Sequence, residues 1–232
     1  MALIEECLPY YAELPFTAQQ THGLRYFFDN PTYSYSDAIF LYCMIRRLRP
    51  RRIIEVGSGY SSCVILDTND LFFNGSIQTT FVDPHPELLL SLIKDSDKRT
   101  VRMIPGRLQD TDPQIFEELE SNDILFVDST HVSKVDSDVN HIFFDILPRL
   151  ARGVHIHFHD IQYPFEYPKE WIYEGRAWTE AYLLRSFLAC NASFTVVLMN
   201  TFLEYFHRGW FEREMPLCLK DTGSSIWIRR EL

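Results

Sequence analysis

The spacing of apolar positions switches back and forth along the chain. Short continuous apolar runs, "RIIEV" at 52–56, "IQTTFVD" at 77–83, "TVRMIPG" at 100–106, "DILFVDS" at 123–129 and "GVHIHFHDI" at 153–161, read as buried strands. Helical spacing separates them, at 60–69, in "PELLLSLIKDS" opened by Pro86, weakly in "DPQIFEELES", and in "VNHIFFDILPRLA" despite Pro148. A helix also precedes the first strand: "SDAIFLYCMIRRLRP" can be capped by Ser36 or Asp37 and is stopped by Pro50. After an irregular stretch come a helix near 177–190 and two more strands, "SFTVVLMN" and "SSIWIRR", with an irregular connection between them. Residues 1–35, with Pro9, Pro15 and Pro31, read as an irregular segment, and residues 36–232 as one domain.

Alternating strands and helices predict an α/β fold, a doubly wound, mostly parallel sheet with helices on both faces. Strands apolar throughout fit burial on both sides. The last two strands predict an antiparallel hairpin at one edge, giving seven strands. In such sheets ligands sit beyond the carboxyl ends of the strands, where the strand order reverses. Functional residues are therefore expected at strand ends.

At 232 residues the chain can bury a large core without disulfides or a structural metal. Its net charge of −10 argues against nucleic acid as a partner, and no N/D-P-P-Y/F motif of nucleic-acid methylation occurs. The basic cluster "RRLRPRR" at 46–52 reads as a solvated helix end. Five scattered cysteines without a CxxC, and no signal-like start, fit reduced thiols in a cytoplasmic protein. No apolar run reaches the ~18 residues of a membrane span.

The first strand ends in "EVGSGYSS". Gly57 and Gly59 let the backbone turn tightly and a ligand approach, and the amides of the following helix favour a negative group. Asp83 closes the second strand, where an acid can hold a ribose diol; its plainer role is a helix cap ahead of "PELLL". Together they describe a nucleoside site. NAD fits less well than S-adenosylmethionine. Ser62 replaces the third glycine of the dinucleotide fingerprint, and Glu55 repels a pyrophosphate but suits a network reaching an ammonium group. An NAD-dependent oxidoreductase and a noncatalytic nucleoside-binding protein remain as alternatives.

"IIEVGSGYSS" resembles the first motif of the class I S-adenosylmethionine-dependent methyltransferases, "TTFVDPHPE" their second and "NDILFVDSTH" their fourth; the final strand pair resembles their reversed hairpin. "VDSTHVSKVDSDV" followed by "HFHDI" resembles the branch with macrolide-sugar O-methyltransferases, related in plan to catechol O-methyltransferase. The resemblance implies methyl transfer to a small-molecule hydroxyl, of a sugar or natural product. Glu55, Gly57, Ser58, Gly59 and Ser61 would line the methionine end, Asp83 would hold the ribose, and Leu108 and Gln109 in "GRLQD" would face the adenine. Asp128 and Asp160 would hold a magnesium ion; the plainer reading is that Asp128 orders the cofactor pocket and Asp160 caps a loop. Ile161 stands where catechol-type enzymes place an asparagine ligand, and Gln162 is a substitute within reach.

His131 is the first candidate for the general base, as a neutral ring past a strand end, and His159 the second. A satisfied structural histidine is the plainer reading of each. His155, His157 and His159 share one strand face but span ~13 Å, too far for one zinc ion with ~2.1 Å bonds. The aromatic segments "YFFDNPTYSYSD" and "IQYPFEYPKEWIYEGRAW" fit a lid over the acceptor, a cover of the core, or a contact in a homo-oligomer.

Overall fold

The computed structural model describes residues 1–232. The elements run α1 (Ala2–Ala12), α2 (Tyr35–Leu48), β1 (Arg52–Val56), α3 (Tyr60–Phe73), β2 (Gln78–Asp83), α4 (Glu87–Leu92), β3 (Arg102–Pro105), α5 (Gln114–Glu117) and β4 (Ile124–Val127). They continue with α6 (Asp138–His141), β5 (His155–Phe158), α7 (Lys169–Tyr173), α8 (Glu180–Leu188), β6 (Phe194–Met199), α9 (Asn200–Phe206), α10 (Arg208–Glu214) and β7 (Ile226–Arg230). The seven strands form one sheet in the order β3-β2-β1-β4-β5-β7-β6. Strands β1 to β5 pair in parallel. β7 pairs antiparallel with both β5 and β6, so it alone runs backwards, inserted between them. No helix is long and apolar enough to cross a membrane.

Alternation along the strands splits the core in two. Ile53, Phe81, Ile124, Phe126 and Trp227 face α1, α2 and α3; Ile54, Val82, Leu125, Ile156 and Ile228 face the opposite layer with α8. α2 is buried almost all round because it is roofed by the amino-terminal segment. That segment is not irregular throughout. Its first residues form α1, and Phe16, Tyr26, Phe28 and Tyr33 pack edge-on into the core. Arg25, 2% exposed, ties it down through Asp67 at 2.6 Å and Asp97 at 2.6 and 2.8 Å, with Asp70 at 2.9 Å nearer the surface.

Two further expectations change. The connection between β6 and β7 carries α9 and α10 and a 3₁₀ turn at Pro216–Leu219. The helix containing Pro148 shortens to α6, followed by a π turn at Ile142–Ile146 and a 3₁₀ turn that accepts the proline at its start. Strand order reverses between β1 and β4, and the carboxyl ends of those strands open on a polar cleft.

Candidate active site

A cleft of about 460 Å³ lies at that reversal, lined by Gly57, Val82, Asp83, Leu108, Gln109, Asp128 and the 134–138 loop among others. Gly57 needs its bare Cα for a reason the sequence did not show. Its φ is +81°, and a Cβ there would lie 2.0 Å from the Asp128 carbonyl oxygen. The turn packs against the end of β4, with Gly57 N donating to Val82 O at 3.0 Å and Asp128 N to Val56 O at 2.8 Å. Backbone proximity, more than room for a ligand, dictates this glycine.

Asp83 gathers the two loops. One carboxylate oxygen accepts Ser58 N at 2.8 Å and Ser58 Oγ at 2.6 Å, and the other accepts His85 N at 2.7 Å. It therefore faces the cleft already oriented. Glu55 behaves differently from expectation. It is fully buried behind the turn and accepts hydrogen bonds from Ser61 and, at 2.5 Å, from Ser62; Gly59 N donates to Ser62 Oγ at 3.0 Å. Burial pushes the Glu55 carboxyl up to about 8, against the pull of the two serines. Glu55 and Ser61 thus brace the turn from inside and do not line the cleft, a correction to their expected place at the methionine end. Ser58 and Gly59 sit at the turn itself. At the far end Leu108 forms the floor, and Gln109 Nε2 donates to the Asp136 carbonyl at 2.6 Å, beside an Arg107–Asp136 ion pair at 2.9 Å. Gln109 bridges two loops and is no free amide.

The strand-end acids do converge. Asp128 Oδ1 lies 3.3 Å and Asp160 Oδ2 3.6 Å from His131 Nε2. On the other side of the ring, His131 Nδ1 lies 2.8 Å from Glu180 Oε2. Glu180, 1% exposed, also accepts Ser129 Oγ at 3.1 Å. The amides of Thr179 and Glu180 donate to the His131 carbonyl at 2.8 and 3.1 Å, so the start of α8 grips this residue by backbone and side chain. His131 and Asp160 both hold positive φ, +60° and +57°, strain that persists where surrounding contacts fix it. Ser224 Oγ donates to Asp160 Oδ1 at 2.9 Å and completes its orientation.

These contacts set the charges. Burial works against a charged His131 ring, but its bonds to Asp128 and Glu180 outweigh that and lift it to about 10. At neutral pH the ring is an imidazolium with no lone pair for a proton, which corrects its reading as a neutral base. Asp128 is held below the usual carboxylate range; burial opposes this, and the His159 and His131 charges prevail. His159 is buried, its Nε2 3.7 Å from Asp160 and its Nδ1 4.0 Å from Asp37. His157 stacks on Phe126 at 4.1 Å, and burial drives both His157 and His155 down, so they are neutral core groups.

One group of side chains could hold a metal ion: ligand atoms of Asp128, His131 and Asp160 lie within 4.8 Å of one another, the span of opposite ligands on one ion with bonds of ~2.1–2.4 Å. The residues fit a divalent cation. Ile161 is fully buried in the core, and Gln162 is not in the group.

Sequence reasoning missed Glu180; Asp37, Tyr33 and Trp178 lie within the two aromatic segments read as a lid, but without individual roles at the site. Asp37 is no cap; it accepts Asn200 Nδ2 at 3.0 Å and Ser224 N at 3.0 Å and faces His159. Tyr33 lies 5.1 Å from the His159 ring and Trp178 4.2 Å from that of His131. Trp178, Trp171 and Tyr167 form an aromatic wall beside the site, with Arg176 laid over both tryptophans at 4.6 and 5.0 Å.

Residues 54–161 match the methyltransferase domain family. An uncharacterized protein of Archaeoglobus fulgidus is 32% identical over 112 residues, 47% of this chain and 49% of that protein, so the match spans about half the relative's length. The O-methyltransferase TomG of Streptomyces achromogenes, involved in tomaymycin synthesis and solved in complex with SAM, superposes with TM-score 0.55 at 13% identity, covering 100% of this chain and 90% of TomG. A methyltransferase of Podospora anserina, solved with SAH bound, gives 0.53 at 15% identity, covering 100% and 88%. Residues 54–161 thus match a methyltransferase domain, and the chain shares the fold of these two methyltransferase structures.

Proposed function

We propose that the chain transfers a methyl group from S-adenosylmethionine to a hydroxyl oxygen of a small molecule, of the sugar or natural-product kind. One observation carries this reading: the glycine turn, Asp83 and Asp128 line a single cleft at the sheet's switch point, and that cleft leads to an edge of converging acids. When bound, S-adenosylmethionine supplies an electrophilic methyl on a good leaving group. Asp83, held by Ser58 and His85, would take the ribose; Leu108 and the Gln109–Asp136 bridge would bound the adenine end.

The protein's own contribution is then largely orientation, worth up to ~7–11 kcal/mol when reacting atoms are held in line. Asp128 is the reacting-edge acid that lines the cleft, with a side chain 36% exposed. It accepts the hydrogen bond of the acceptor hydroxyl and takes its proton as the oxygen–methyl bond forms. His131, engaged by carboxylates on both sides, positions Asp128. The aromatic wall of Trp171 and Trp178 supplies a stacking face for the acceptor and keeps water out. The same residues would hold a divalent cation at Asp128, His131 and Asp160, where it would polarise acceptor oxygens.

An oxidoreductase fits the turn less well, since Ser62 fills the third glycine position and is spent on Glu55. Titration calorimetry with S-adenosylhomocysteine and with NAD separates the two. We expect S-adenosylhomocysteine to bind and NAD not to, and Asp128→Asn to keep that affinity while turnover on a panel of catechols and sugars falls at least 100-fold. Preference for NAD overturns the assignment.

A further inference from the structure

Magnesium prefers oxygen, and commonly binds through one or two carboxylates with waters completing its octahedron. The edge here offers more than that. His131, 5% exposed, aims Nε2 between Asp128 and Asp160 at 3.3 and 3.6 Å, longer than the ~2.7–2.9 Å of a charge-assisted hydrogen bond. The ring is not aimed there by accident of packing. Glu180 fixes Nδ1 at 2.8 Å, Trp178 covers one side of the ring, and the amides of Thr179 and Glu180 hold the His131 carbonyl while its backbone sits at φ +60°. A buried carboxylate on the far nitrogen of an imidazole is the arrangement that orients histidines on metal ions and raises their basicity as ligands. Asp160 is likewise fixed through Oδ1 by Ser224, leaving Oδ2 toward the ring. Three carboxylates thus converge on one imidazole, a surplus of negative charge that calls for a cation.

We propose that Asp128, Asp160 and His131 form a mixed carboxylate–imidazole site for a divalent transition-metal ion of the manganese–iron–cobalt class, taken in preference to magnesium, with Glu180 as the outer carboxylate that holds the nitrogen ligand in place. The inference rests on reading the strand ends as the acceptor edge and names the ion that edge takes. An imidazole ligand adds affinity for first-row transition metals along their usual order and little for magnesium. The ion would stand among the acids now facing His131, and Ile161, fully buried, contributes no ligand.

The test uses the full chain, stripped with chelator and reloaded with manganese or magnesium chloride alone. Calorimetry should show manganese binding at least tenfold more tightly than magnesium. Pulsed electron paramagnetic resonance of the manganese form should show a directly coordinated imidazole nitrogen. That signal should vanish in His131→Gln. Glu180→Gln should retain it while weakening manganese ~10-fold or more, the usual cost of losing an outer carboxylate. Wild-type protein that binds magnesium as tightly as manganese, binds neither, or shows no coordinated nitrogen overturns the proposal, whatever the variants do. S-adenosylhomocysteine affinity, measured on the same samples, keeps the two readings apart. Its loss with the nitrogen signal intact refutes the methyltransferase reading alone. Its presence without a metal signal refutes the metal site alone.

Discussion

Replacing Gly57 by alanine tests whether the first glycine of the turn is bare for packing or for a ligand. Two costs add. Holding an L residue at φ +81° costs ~1–2 kcal/mol. The new Cβ would also sit 2.0 Å from the Asp128 carbonyl oxygen, where ordinary contact begins at 3.4 Å, so the end of β4 must retreat by about 1.4 Å. That retreat pulls on the Asp128 N–Val56 O bond of 2.8 Å, and overpacking of this kind adds ~1–3 kcal/mol. The sum is ~2–5 kcal/mol, and in a domain of this size each kilocalorie moves the melting temperature by ~2–4 °C. Gly75→Ala isolates the first cost, because Gly75 holds φ +71° with nothing within 4 Å of its Cβ position. Thermal unfolding of both variants is the assay. We expect Gly57→Ala to melt below Gly75→Ala by ~2–12 °C, the second cost alone, with no cofactor present. Equal melting temperatures refute the packing argument and return the glycine to the ligand.

Three further outcomes follow from buried charge. Arg25→Met leaves Asp67 and Asp97 buried without their cation, which should cost ~3–5 kcal/mol in denaturant unfolding; the triple variant with Asp67→Asn and Asp97→Asn should recover most of it, and no recovery refutes the ion-pair account. Glu55 and Glu204 are both pushed by burial from 4.5 to about 8, so each stabilises the fold below pH 4.5 and loses that contribution as pH rises through 8. Stability should fall by ~1.4 kcal/mol per pH unit for each group in that window, and Glu204→Gln should lower the overall slope by that amount; an unchanged slope refutes the shift of Glu204. Asp83→Asn cannot accept from Ser58 and His85 together, and S-adenosylhomocysteine affinity should drop at least tenfold in calorimetry, an unaltered affinity placing the ribose elsewhere.

What the chain disclosed in advance is what local pattern can encode. Each strand announced itself by a short apolar run, and a parallel sheet places strand ends on one edge, so Asp83, Asp128 and Asp160 could be placed along that edge from the sequence. Helices of seven residues leave too short a window for the 3.6 period, and α9 and α10 accordingly read as irregular. α1 was hidden differently, by Pro9 inside it.

The site's electrostatics lay beyond pattern altogether. Glu180 is the acid in the first turn of an ordinary amphipathic helix, and it meets His131 only because residues 161–179 fold back across the strand ends. The same applies to Glu55, whose position two residues before the glycine is legible, while its burial under Ser61 and Ser62 depends on how α3 seats. A sequence names which groups can ionise; the neighbours that decide whether they do arrive from distant segments. For His131 that difference is decisive. Read alone it is a neutral base, and read among Asp128, Asp160 and Glu180 it is either a cation or a ligand to one.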